Sequence, residues 1–174
     1  LNPPALLSAF QRSGGDRMDE HSGAPANGRP AFERAVAAAI ALAKTDGEAA
    51  GIAIIALDHL DIVNIAFGFE TGDRVLTDAM AILSGVVRGV DTLARISGSK
   101  FGVVVSNCDE EKLLLACQRY RSALRDHIFE TAAGPVSVTV SVAAVLAPVH
   151  ASTPRQAIGN VQIALEEARR DRFR

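Results

Sequence analysis

Cysteine is scarce in this chain. Cys108 and Cys117 are the only two among 174 residues, and their spacing is neither CxxC nor that of a zinc site. Such usage fits a cytoplasmic protein with reduced thiols. The four histidines, His21, His59, His127 and His150, stand singly and read as surface or loop residues rather than metal ligands. An excess of basic charge is also absent, the net charge being -2. A general electrostatic nucleic-acid binder would carry a clearly basic balance, so that class is set aside. No apolar run approaches the roughly 20 residues of a membrane span. No basic region followed by an apolar stretch marks a signal peptide. The chain begins at Leu1 rather than Met, as expected of a fragment or a processed product. What is there is an ordinary soluble composition, 48% hydrophobic and 22% charged. The length suits one domain with a real hydrophobic core and an extra segment.

Residues 1–30 are rich in Pro, Gly, Ser and Asn and read as a linker or lead-in segment; residues 31–174 read as the domain. Ala31 to Ala43 carries Phe32, Val36, Ala39, Ile40 and Ala43 at helical spacing. Gly51 to Leu57 is apolar on both faces, as a central strand covered on two sides would be. After a turn of helix and a polar loop, Val75, Leu76, Ala79, Ile82, Leu83, Val86 and Val87 mark a long amphipathic helix from Asp73 to Arg88. Leu93 to Ile96 and Phe101 to Val105 flank Ser97-Gly98-Ser99-Lys100, which predicts a β-hairpin. Its tip would turn on a positive φ at Gly98, while Ile96 and Phe101 reach into a core. Asp109 to His127 reads as a helix burying Leu113, Leu114, Ala116, Cys117, Tyr120 and Leu124; Val136 to Leu146 reads as one long strand. Thr153 as N-cap and Pro154 at the first position open a last helix through Ile158, Val161, Leu165 and Ala168. The order predicts an α+β fold with a ferredoxin-like βαββαβ core and a final helix. Its central sheet would be antiparallel, with helices packed on one face.

Several loops together carry a resemblance. Asn64, Phe67-Gly68 and Gly72-Asp73 are similar to the pattern Asn-Asp-x-Tyr-Gly-His-x-x-Gly-Asp. Leu93 to Phe101 sits where Ala-Arg-x-Gly-Gly-Asp/Glu-Glu-Phe is expected. Val138-Thr-Val-Ser-Val-Ala143 is similar to Val-Thr-x-Ser-x-Gly, and Ala164-Leu165 with Ala168-Arg169 to Ala-Leu-Tyr-x-Ala-Lys. Asp19 to Pro25 looks like a worn Asp-x-Leu-Thr-Gly-Leu-Pro. In this order and spacing the chain resembles the GGDEF, or diguanylate cyclase, family, whose members join two GTP molecules into cyclic di-GMP.

The resemblance also implies losses. Counting back from Asn64, the family's metal aspartate falls on Ala56, and the two hairpin acids fall on Ser99 and Lys100. Magnesium needs oxygen ligands in near-octahedral geometry. Asp58, two residues along, points the same way but lies roughly 6–7 Å further on. The family's phosphate-binding lysine is here Asp61. Metal and its ligands supply most of the catalysis in phosphoryl transfer. The expectation is therefore a degenerate domain with no metal, no cofactor and no cyclase activity.

Other positions are chemically intact. Asn64 and Asp73 correspond to the family's guanine-reading residues; alternatively, Asn64 caps a turn and Asp73 caps the long helix. Arg88-Gly-Val-Asp91 lies at the offset of the family's Arg-x-x-Asp site for cyclic di-GMP, which Arg119 or Arg121 would complete. An arginine fork can bind a guanine edge or phosphate, and a carboxylate can accept from guanine N1 and N2. The plainer alternative is a helix-end arginine with a locally paired aspartate. The terminal Arg169, Arg170, Arg172 and Arg174 read as a solvated helix end. The functional expectation is a regulatory cyclic di-GMP receptor in bacterial signalling, without nucleic acid. Its alternatives are a non-binding dimerisation or scaffold module for a neighbouring domain, and a GTP-sensing domain.

Overall fold

The computed structural model describes residues 28–171, so the expectations for the lead-in segment up to residue 27 and for Arg172 and Arg174 lie outside the described residues. Helix α1 (Gly28–Asp46) leads into β1 (Ala50–Asp58), followed by α2 (Leu60–Phe67) and α3 (Phe69–Val86). The hairpin β2 (Thr92–Ser97) and β3 (Lys100–Val105) comes next, then α4 (Glu110–Arg125). A short ribbon, β4 (Phe129–Thr131) with β5 (Gly134–Val136), precedes β6 (Thr139–Ala147) and α5 (Pro154–Asp171). The long strands form one antiparallel sheet in the order β2-β3-β1-β6, the ferredoxin-like arrangement.

Every residue of β1 is buried. Alternate side chains point to opposite faces of a strand, so one strand serves two cores. Ala53, Ile55 and Leu57 join Val75, Leu83, Leu113 and Tyr120 from α3 and α4. Ile52, Ile54 and Ala56 join Phe32, Val36, Val161 and Leu165 from α1 and α5. The expectation of helices on one face is corrected here. A strand apolar on both faces needs cover on both, and the helices outside the βαββαβ unit supply the second layer. Gly102 on β3 lets α1 seat closely, since a Cβ there would lie 2.5 Å from the Phe32 ring.

The hairpin forms as read, with Ser97 paired to Lys100 across a two-residue tip. A register shift between Arg95 and Ser97 makes Ile96 a bulge residue. Phe101 enters the α3–α4 core and Ile96 the α1–α5 core, so both faces hold the hairpin. Gly98 does not take the expected positive φ; among the described residues the glycines with positive φ are Gly47, Gly68 and Gly134. The tip is held instead by Arg95, whose Nε and Nη2 donate to the Gly98 carbonyl at 3.1 and 2.9 Å.

Other readings differ too, beginning with α1, which starts at Gly28 inside the stretch read as lead-in. α3 starts at Phe69, because Gly68 at φ 89° and ψ 160° ends α2 and opens α3. The stretch from Val136 splits between β5 and β6, and β4 pairs with β5 in a ribbon that the sequence did not signal. On α4, Leu114 is 59% exposed while Leu113 is buried, because successive residues cannot share one stripe. Asp109 caps α4 by accepting from the Lys112 amide at 2.8 Å, and Thr153 caps α5 through the Gln156 amide at 3.2 Å.

Candidate functional site

Arg88 and Asp91 sit in the loop between α3 and β2. They are the ends of a β-turn closed by the Asp91 amide donating to the Arg88 carbonyl at 2.9 Å. Arg88 is therefore beyond the helix, which ends at Val86, and not its last cation. The turn brings the side chains into a fork-to-carboxylate pair, with Arg88 Nε to Asp91 Oδ2 at 2.9 Å and Nη2 to Oδ1 at 3.2 Å. The Asp91 side chain is wholly buried, and its Oδ1 also accepts from the Ser106 amide at 3.0 Å. Arg88 Nη2 reaches the Ser106 carbonyl at 3.1 Å, and its side chain stays 43% exposed. Hydrogen bonding to Asp91 holds the guanidinium pKa above its ordinary value. Asp91 thus spends its acceptors inside the protein, whereas Arg88 is fixed at the surface with Nη1 outside these bonds.

Of the two arginines offered as a third member, the structure brings Arg119 to this loop. Its Nε donates to the Val86 carbonyl at 2.9 Å, two residues before Arg88. Arg121 is exposed and lies about 200° further round α4. The Arg119 guanidinium carbon stands 5.3 Å from the Tyr120 ring centroid. Tyr120 is fully buried, its hydroxyl has no hydrogen-bond partner among the described residues, and burial pushes its pKa up to about 12. No sequence pattern marked Tyr120 or Ser106 as neighbours of this loop; Ser106 is 15 residues from Asp91.

A second cluster joins α2 to α3. Gly72 packs so closely on Asn64 that a Cβ there would collide with the Asn64 amide, and Asp73 follows, exposed. Neither residue caps. The N-cap of α3 is Gly68, and Asn64 Oδ1 is buried without a partner among the described residues, its backbone carbonyl accepting from Gly68.

The third place is the sheet end beside the hairpin. Ala56 pairs with Lys100 on β3 and with Ser141 on β6. Asp58 is 6% exposed and accepts from Ser141 Oγ at 2.8 Å and from Arg169 Nε at 2.9 Å. Arg169 is thus committed to an ion pair and is not part of a solvated helix end. Nothing local in the sequence signals this pair, whose members are 111 residues apart.

The sheet order and the loop constellation define a nucleotidyl cyclase-like α+β domain. A family model described as "Diguanylate cyclase, GGDEF domain" matches residues 25–174, and the chain belongs to that family. It is 33% identical over 99 residues to the uncharacterized protein YhcK of Bacillus subtilis, covering 56% of this chain and 28% of that one. It is 30% identical over 120 residues to the probable diguanylate cyclase DgcT of Escherichia coli, covering 68% and 26%. The chain therefore spans about a quarter of the length of these relatives. The GGDEF domain of YfiN from Pseudomonas aeruginosa superposes with a TM-score of 0.82 at 24% identity, covering 86% of this chain and 88% of that one. That of DgcB from Caulobacter crescentus, solved in complex with c-di-GMP, gives 0.80 at 19%, covering 89% and 93%. No helix among the described residues is long and apolar enough to cross a membrane.

The family implies a divalent metal at the hairpin end, and the residues there do not fit one. Ala56 offers no side-chain oxygen, Lys100 brings a cation, and the Asp58 carboxylate is engaged by Ser141 and Arg169. Among the described residues no three His, Cys, Asp or Glu side chains converge as a metal-binding group. Hard dications need several oxygen ligands at once.

Proposed function

We propose that this is a catalytically inactive GGDEF domain that acts as a cyclic di-GMP receptor through Arg88 and Arg119, with Asp91 positioning Arg88. The observation that supports this reading most is the Arg88–Asp91 pair: a surface guanidinium held rigidly by a buried carboxylate. A fork fixed in advance loses little entropy on meeting a guanine edge or a phosphate. Arg119, tied to Val86, adds a second fork at the same end of α3. The c-di-GMP complex of DgcB shows that a domain of this fold takes that ligand. Asp91 is assigned a narrower role than direct guanine recognition, since its oxygens already accept from Arg88 and Ser106.

Loss of activity follows from Ala56, Ser99 and Lys100 standing where metal-holding acids are needed. A second reading, GTP sensing at Asn64 and Asp73, is favoured by one observation. Asn64 Oδ1 has no partner among the described residues and is an acceptor suited to guanine N1 or N2 donors, although it is buried against Gly72 and the side chain would have to turn outward to meet them. A scaffold or dimerisation role is the reading left if neither nucleotide binds.

Calorimetric titration separates these. Cyclic di-GMP should bind the wild type, and Arg88→Ala should weaken it at least tenfold, with Arg119→Ala also weaker. Arg88→Lys keeps the charge against Asp91 but loses the fork, and should bind weakly while remaining folded. Cyclic di-GMP binding that survives Arg88→Ala sinks the site. GTP with Mg²⁺ should give no product with the purified domain, and turnover would overturn the inactive reading. Binding of GTP lost in Asn64→Ala would establish the second reading.

A further inference from the structure

At the sheet end beside the hairpin the four charged groups that meet are ordered anion, cation, anion, cation. Ala56, Lys100, Ser141 and Asp58 lie on the sheet face that α5 covers, because paired residues and residues two apart share a face. Asp58 Oδ1 holds Arg169 Nε at 2.9 Å. Arg169 Nη1 lies 3.8 Å from Glu166 Oε1, and the same oxygen lies 3.6 Å from Lys100 Nζ. Two cations thus meet at the sheet end where the resemblance implies a metal, and each is matched by a carboxylate of this chain.

We infer that Asp58 and Glu166 are a built-in stand-in for a polyphosphate: they occupy Arg169 and Lys100 and so deny this end of the domain to a triphosphate, with or without metal. The four charges sum to zero. Each neighbouring pair is in contact at 2.9 to 3.8 Å, well inside the roughly 8 Å over which physiological salt leaves charges visible to one another, so an approaching polyanion meets matched pairs rather than two bare cations. Asp58, buried and doubly bonded, is the fixed part. Glu166, with its side chain 54% exposed and both contacts long, is the outer part that a ligand would have to displace. Its strength as an ion pair is small; its effect is to cancel charge. The inference rests on the inactive reading and not on the cyclic di-GMP site, and it weighs against GTP sensing.

The test is titration of inorganic tripolyphosphate, with EDTA and low salt, into the wild type, Glu166→Gln and Glu166→Gln/Lys100→Ala. The wild type should show no binding, and Glu166→Gln should bind at least tenfold more tightly than the wild-type detection limit. Lys100→Ala should abolish the gain, as should 1 M salt, where screening shortens to about 3 Å. Glu166 is exposed, so its isosteric variant should melt with the wild type, which a thermal scan checks. No gain in Glu166→Gln, or a gain that persists without Lys100, overturns the stand-in. Tripolyphosphate binding by the wild type without GTP turnover sinks it too, and leaves the inactive reading standing. Turnover sinks both.

Discussion

At the scale of single residues, Asp91 holds the loop together. Its carboxylate is fully buried and accepts from two nitrogens of Arg88 and from the Ser106 amide, tying the start of β2 to the end of β3. Asp91→Ala leaves a buried amide and a guanidinium without their acceptor, and should cost about 2–4 kcal/mol in urea unfolding. If the loss were below about 0.5 kcal/mol, Asp91 would not be the anchor described. The pairing of Arg88 with Asp91 was legible, since a turn with Gly in its corner brings residues three apart together. The Ser106 partner was not, because strand register alone sets that contact.

At the scale of elements, the α2–α3 corner depends on one backbone conformation. Gly68 at φ 89° and ψ 160° lets one helix stop and the next begin, which a side chain there would strain. Gly68→Ala should destabilise the domain by about 1–3 kcal/mol in thermal or chemical melts. An unchanged melting temperature would show that the corner can be built another way. The helical periodicity of α3 was readable from Val75 onward. Its first turn was not, since Phe69 is 77% exposed and breaks the apolar pattern. The hairpin shows the converse. Its strands and tip length follow from the sequence, but the tip turns through a bulge at Ile96 and the Arg95–Gly98 bonds rather than through a left-handed glycine.

At the scale of the whole molecule, the α3–α4 core buries acids that titrate at high pH. Burial pushes the Cys117 thiol up to about 11 from 9.0 and the Tyr120 phenol up to about 12 from 10.0. A raised folded-state pKa means that the unfolded chain loses its proton first. Stability is therefore full below about pH 9 and falls as pH rises through the window from 9.0 to about 12. Denaturant melts across this range should show the decline. Cys117→Ala should flatten its lower part and Tyr120→Phe its upper part. An unaltered slope in both variants would place the titrating groups elsewhere.

Local pattern alone carries the order of the four sheet strands, the hairpin, the antiparallel ferredoxin-like core and the family, because apolar periodicity and short motifs are local; the β4–β5 ribbon and the α2–α3 break lay outside it. The sequence also determines which side chains stand at the motif positions, including Ala56, Ser99 and Lys100. Long-range packing sets the rest: α1 and α5 cover a second face, Asp91 is buried while Arg88 looks outward, and Arg119 rather than Arg121 joins them. It alone ties Arg169 to Asp58. These contacts depend on which strands neighbour β1 and how α5 crosses them, and such long-range packing is recorded at no single stretch of the chain.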